Sequence, residues 1–192
     1  MRKKFSFYVI ISIIMVFVGI FIYSNINYSQ LDREKVESLV DKQFVDVNNY
    51  RNSILIKPKG REGCVGYIFY PKNNVDEASY IPIMSKIAER GFNVYIMKTV
   101  FHKNLNTDNI GKDIVSLNPS ITNWVIGGEE EGKESATNFY EKIKNDKKAE
   151  LLLCNDLVRL ESNDIYYCNR NFKKDLKENS RIILESINKL RH

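Results

Sequence analysis

Asn123-Trp124-Val125-Ile126-Gly127-Gly128-Glu129-Glu130-Glu131-Gly132 is the stretch on which the fold turns. Residues 124–126 read as a short apolar strand ending in the glycine pair, and residues 133–144 carry the apolar spacing of a helix. A strand that becomes a helix within a few residues crowds its own backbone. Glycine tolerates both that crowding and unusual dihedral angles. Gly128 and Gly132 flank three consecutive glutamates, so the pattern is a strand–turn–helix corner with a carboxylate at its apex.

The alternation extends to both sides. Upstream, residues 44–47 and 53–57 are short strand candidates, and residues 64–70 form an almost unbroken apolar strand after the turn Lys59-Gly60-Arg61-Glu62-Gly63. Residues 78–90 have helical spacing (Tyr80, Ile83, Met84, Ile87, Ala88) stopped by Gly91. A strand at 92–97 and a helix at 108–117 follow, the helix closed by Pro119. Downstream, residues 150–154 and 165–168 read as strands and residues 180–190 as an amphipathic helix. Apolar strands alternating with helices predict a mostly parallel sheet with helices on both faces.

Residues 5–23, FSFYVIISIIMVFVGIFIY, are 19 residues without a charge; a bilayer core takes about 20 apolar residues at helical rise. A secretory signal has a shorter apolar stretch, usually about 7–15 residues, and ends in small residues suited to cleavage. Tyr23-Ser24-Asn25-Ile26-Asn27 offers no such site, so an uncleaved transmembrane helix is expected rather than a removed signal peptide. Arg2, Lys3 and Lys4 precede the run and the first charge after it is Asp32. Positive charge stays on the cytoplasmic side, which places the rest of the chain outside the cell membrane. The expected organisation is a cytoplasmic tip and anchor at 1–23, a spacer and amphipathic helix at 24–43, and one α/β domain at 44–192.

With 43% hydrophobic residues, 10 Phe and 11 Tyr, the chain can bury a core and is not a disordered one. The formal net charge of +5 includes three charges from Arg2, Lys3 and Lys4. The other cations are interspersed with acids, without a basic stripe, so no nucleic-acid partner is expected. Cys64, Cys154 and Cys168 lie in or beside apolar runs and lack the spacing of a zinc site. They read as buried small hydrophobes, with a Cys154–Cys168 bridge open if the domain meets an oxidising space.

The residues around the corner resemble the "fold-5" branch of the α/β-hydrolase superfamily. The likeness is carried by Gly66-Tyr-Ile-Phe-Tyr-Pro71, Val75-Asp76, Tyr80, Pro82, Ala88-Glu-Arg-Gly91-Phe92, Val94-Tyr-Ile-Met-Lys98, Asn118-Pro-Ser-Ile121 and Trp124-Val-Ile-Gly-Gly128. In that superfamily a G-x-S-x-G turn lifts a nucleophilic serine above the sheet. The resemblance puts Glu130 at the serine position, between the elbow glycines Gly128 and Gly132. It also puts Glu129 and Glu131 in place of the family's histidine and leucine beside it, and Lys133 in place of a further glycine. The glycine pair of the oxyanion loop becomes Lys72 and Asn73, and Arg170 falls at the position of the catalytic aspartate. The family's last strand and catalytic histidine have no counterpart, since His102 and His192 match neither in position.

What the resemblance implies is therefore a hydrolase-like fold without an intact triad: no nucleophile, base or orienting acid stands in place. The expected function is a membrane-anchored binding or structural module on the outer face, with the membrane and an unknown small molecule or protein as partners. The alternative is an active hydrolase of ester or other acyl substrates using displaced residues; a relic without a role is a third reading. Glu130 as a carboxylate nucleophile lacks a base, and Asp156 as a relocated acid has nothing to orient. Glu129–Glu131 as a cation site would need three successive side chains to converge. The default for these glutamates is a solvated cluster favouring a helix N-terminus, with no metal and no cofactor. If Glu130 and Arg170 inherit facing positions, the two are expected to pair as a structural plug.

Overall fold

The computed structural model describes residues 2–26, 31, 33–60, 63–99, 107–154, 178, 180–185 and 187–188. Its elements, in order, are α1 (Arg2–Ile26), α2 (Arg33–Ser38), β1 (Val45–Asn49), β2 (Ser53–Pro58), β3 (Val65–Tyr70), a 3-10 turn (Glu77–Tyr80), α3 (Ile81–Ala88), β4 (Phe92–Met97), α4 (Thr107–Leu117), β5 (Asn123–Glu129), α5 (Gly132–Ile143) and β6 (Lys148–Cys154). The strands form one sheet in the order β1-β2-β4-β3-β5-β6. β2 pairs antiparallel with both its neighbours, and every other pairing is parallel, so β2 alone runs against the rest. The expected mostly parallel sheet is thus mixed at its N-terminal edge, where a hairpin joins β1 to β2.

Burial follows the alternation of side chains across the sheet. On one face Tyr67, Phe69, Val94 and Ile96 pack beneath Ile83, Met84 and Ile87 of α3. Leu31, Val36 and Val40 around α2, and Ile183 and Ile187 of the C-terminal helical residues, complete that layer. On the other face Ile68, Tyr70, Trp124 and Ile126 pack against Ile114 and Val115 of α4 and Phe139 and Ile143 of α5. β3 and β4 are buried along their whole length, which is why both read as unbroken apolar runs rather than alternating ones.

The structure corrects the sequence reading in several places. The helix expected over 78–90 begins as a 3-10 turn and becomes α-helical at Ile81. The 3-10 turn is capped by Asp76, whose carboxylate accepts from the Ala78 N–H at 2.9 Å, and Pro82 sits in the first turn of α3, where its missing N–H leaves no helical bond unmade. β5 does not stop at the glycine pair. Gly127, Gly128 and Glu129 stay in register with Leu152, Leu153 and Cys154 of β6. Cys64 is exposed rather than buried, because it precedes β3 instead of lying within it, and Cys154 is half-buried. Cys168 and the strand expected at 165–168 lie outside the described residues.

α1 is one continuous helix from Arg2 to Ile26. Its described side chains, residues 7–22, are all exposed. No helix among the described residues is long and apolar enough to cross a membrane. The transmembrane assignment therefore rests on the sequence and is taken up below as a proposal.

Candidate functional site

Strand order locates the site. From β3 the chain crosses to β4 on one side, and from β4 it passes back beyond β3 to β5 on the other. α3 and α5 consequently cover opposite faces, and the connections leaving β3 and β5 part from each other. In open α/β sheets the crevice at the carboxyl ends of two such strands is where ligands bind. Here it lies between Tyr70-Pro71-Lys72-Asn73 after β3 and Glu129-Glu130-Glu131-Gly132 after β5.

The corner after β5 is tight. Glu130 has φ +49°, a left-handed conformation that costs a residue with a Cβ about 1–2 kcal/mol. A Cβ on Gly132 would lie well inside van der Waals distance of the Tyr70 carbonyl oxygen and 2.6 Å from that of Pro71. One on Gly128 would come within 2.7 Å of the Gly132 carbonyl carbon. At Gly132 the backbones of the two loops are therefore in direct contact, whereas Gly128 is required by the tightness of its own turn into α5.

Each of the three glutamates engages the β3 side of the crevice, by a different bond. Glu129 is fully buried, and its Oε2 accepts from the Tyr80 hydroxyl at 2.5 Å. Glu130 Oε2 lies 3.7 Å from the Lys72 ammonium. Glu131 Oε2 accepts from the Asn73 N–H at 3.3 Å, and the Lys72 N–H donates to the Tyr80 hydroxyl at 3.4 Å. Both N–H groups of the segment that the resemblance likens to an oxyanion loop are thus taken up by the chain itself. An anion entering the crevice would meet the exposed carboxylates of Glu130 and Glu131 before it met those donors.

This arrangement changes the sequence reading of the acidic run. The solvated cluster describes Glu130 and Glu131, which are exposed, but not Glu129, which ends a buried strand. The N-cap of α5 is Glu131, with no side-chain capping bond, because its carboxylate reaches across to Asn73 instead. The three carboxylates go to three partners and do not converge. Among the described residues no group of His, Cys, Asp and Glu is placed to hold a metal ion. Arg170, the expected partner of Glu130, lies outside the described residues, as do Asp156, His102 and His192. Lys72 is the cation that Glu130 faces.

Behind Glu129 the site is apolar. The Tyr67 phenol is pushed well up by burial first, with Cys154 and Glu129 adding to the shift. Among the described residues its hydroxyl has no hydrogen-bond partner. The Cys154 thiol is likewise lifted to about 11, by burial first and then by Glu129, with Lys133 opposing. At neutral pH Cys154 is thus a protonated thiol and a poor nucleophile. The sequence reading did not single out Tyr80 and Lys72 as partners of the glutamates. The only hint was a tyrosine and a lysine of the matched segments near an acidic corner, and no local spacing links residues 49 or 58 positions apart.

The match to one family model agrees with this architecture. Residues 66–155, from β3 to just past β6, match the model of the alpha/beta hydrolase family. The matched segment is a little under half of the chain and holds both sides of the crevice. No curated protein matches the chain. Among solved structures it is similar to the carboxylesterase CesB (YbfK) from Bacillus subtilis, at 13% identity and a TM-score of 0.40, over 70% of this chain and 48% of that one. The chain thus spans about half the length of that esterase. The sheet from β3 to β6 and its helices form an α/β-hydrolase-like fold.

Proposed function

We propose that the protein is a membrane-anchored member of the "fold-5" branch of the α/β hydrolases that has given up catalysis and serves as a binding or structural module outside the cytoplasm. On this reading Glu130 stands where the family serine stands, and the strained elbow is kept without its nucleophile. The observation that carries it is the closure of the crevice: all three glutamates are bonded to the segment after β3. Hydrolysis of an acyl substrate needs that crevice open, with two N–H donors aimed at the developing oxyanion. Removal of a single such donor costs about 3 kcal/mol of transition-state stabilisation.

The test is turnover. The full-length protein is expected to release no product from short acyl esters, and Glu130→Ser alone is expected not to restore release, because no base accompanies the new hydroxyl. A burst of acyl product from the native protein would establish the alternative, a hydrolase using non-standard residues. For the anchor, protease added to intact cells is expected to digest everything beyond α1. Full protection of the domain would reverse the orientation drawn from Arg2, Lys3 and Lys4.

A further inference from the structure

α4 does not cover all of the sheet face it packs on. Ile114 and Val115 are buried beneath it, whereas Ile110 and Leu55 of β2 are only partly covered and Leu117 is 78% exposed. Between α4 and the β1–β2 hairpin lies a groove of about 510 Å³. That volume is within the range of about 300–1,000 Å³ typical of small-molecule sites. Its floor is Leu55 and Tyr95 from the sheet, and Ile110, Ile114 and Leu117 add apolar surface along the helix.

The hairpin wall is held in place before any ligand arrives. The Tyr50 N–H donates to the Ser53 carbonyl at 2.9 Å, and the Lys98 N–H to that of Asn52 at 3.0 Å. The Lys98 ammonium ties the Tyr50 carbonyl and the Asn49 side chain to the end of β4. The Tyr95 phenol is pushed up to about 12, by burial first and then by the Tyr50 phenol, and both residues line the groove.

Each wall also carries one charge: Arg51 on the hairpin and Asp113 on α4. Among the described residues neither side chain forms an ion pair or hydrogen bond, with the other or with anything else. A lone anion would be drawn to Arg51 but repelled by Asp113, and a lone cation the reverse. An uncharged apolar ligand would use neither. The molecule complementary to both walls and to the floor has an anionic end, a cationic end and an apolar body between them.

We propose that this groove binds a short zwitterionic peptide with apolar side chains, its carboxylate meeting Arg51 and its ammonium meeting Asp113. The proposal rests on the reading of the protein as a binding module, for which it supplies a site away from the closed crevice. A guanidinium meets a carboxylate with two parallel hydrogen bonds, so the carboxylate end carries the stronger orientation.

Full-length protein in lipid nanodiscs, titrated calorimetrically with leucyl-leucine, its N-acetyl form, its C-terminal amide and free leucine, tests it. Leucyl-leucine is expected to bind saturably, and capping either end to weaken binding at least about threefold. Arg51 and Asp113 are both exposed, so their substitution leaves the core intact. In R51A the amide should bind as well as the free acid, and in D113N the acetylated form as well as the free amine. Free leucine binding as tightly as the dipeptide would change the source of the zwitterion to an amino acid and keep the site. Absence of saturable binding through the millimolar range, or capping without effect, overturns the groove proposal and leaves the non-catalytic reading untouched. Binding that survives R51A and D113N but is lost in K72M places the ligand in the crevice, and then the closed crevice falls as well.

Discussion

Gly132→Ala is expected to destabilise the domain by about 3 kcal/mol, the upper range for overpacking a tight site. The added methyl would meet the carbonyl oxygens of Tyr70 and Pro71. Both belong to backbone leaving a fully buried strand, and neither is the end of a flexible side chain that could move aside. Relief requires the β3 segment and the start of α5 to separate. The Asn73–Glu131 hydrogen bond and the Lys72–Glu130 contact then go together. Glu130→Gly, two residues away, is the control of opposite sign. It removes a Cβ from a left-handed residue at φ +49° and should stabilise the domain by roughly 0.5–1 kcal/mol, after allowing for the extra freedom of glycine in the unfolded chain. Urea unfolding of both variants measures the pair. A Gly132→Ala loss below about 1 kcal/mol would mean that the two loops part easily and that the crevice is not held shut by their contact.

The corner itself was legible in the sequence, because its causes are local: an apolar strand, glycines four residues apart, and a helix with regular spacing. The alternation of strands and helices was legible for the same reason, and it placed helices on both faces. The reversal of β2 was not. Residues 53–57 read as a strand in either direction, and only the short hairpin after Asn49 dictates that β2 returns beside β1. The site was legible in position and not in content. Glu129 to Glu131 look alike in sequence, yet strand alternation sends the first into the core while the turn leaves the other two exposed. Their partners lie 49 to 58 residues upstream, brought close by β3 lying beside β5. Cys64 was misread because an apolar run does not reveal whether its first residue is inside the strand or just before it.

Tyr80→Phe is expected to cost about 1.5–3 kcal/mol, the range for a hydrogen bond to a charged group. The hydroxyl it removes donates to the carboxylate of Glu129 at 2.5 Å, and that carboxylate is fully buried. Phenylalanine keeps the ring against Phe69, whose centroid lies 5.0 Å away, so packing in the layer beneath α3 is conserved and the loss reports the hydroxyl. The same hydroxyl accepts from the Lys72 N–H, which joins the helix side of the crevice to the segment after β3. A double-mutant cycle with Glu129→Gln separates the charge from the shape. If the interaction is with a carboxylate, Tyr80→Phe should cost only about 0.5–1.5 kcal/mol in the Gln background, the range for a neutral pair. An equal loss in both backgrounds would mean that Tyr80 supports the crevice through Lys72 and not through Glu129. A loss under about 0.5 kcal/mol in the native background would remove the buried pair from the account of closure altogether. A carboxylate that deep is a group the protein must keep paired, and one partner is a phenol from a neighbouring element. The energetics of that one bond therefore bear directly on whether the hydrolase-like cleft can open at all.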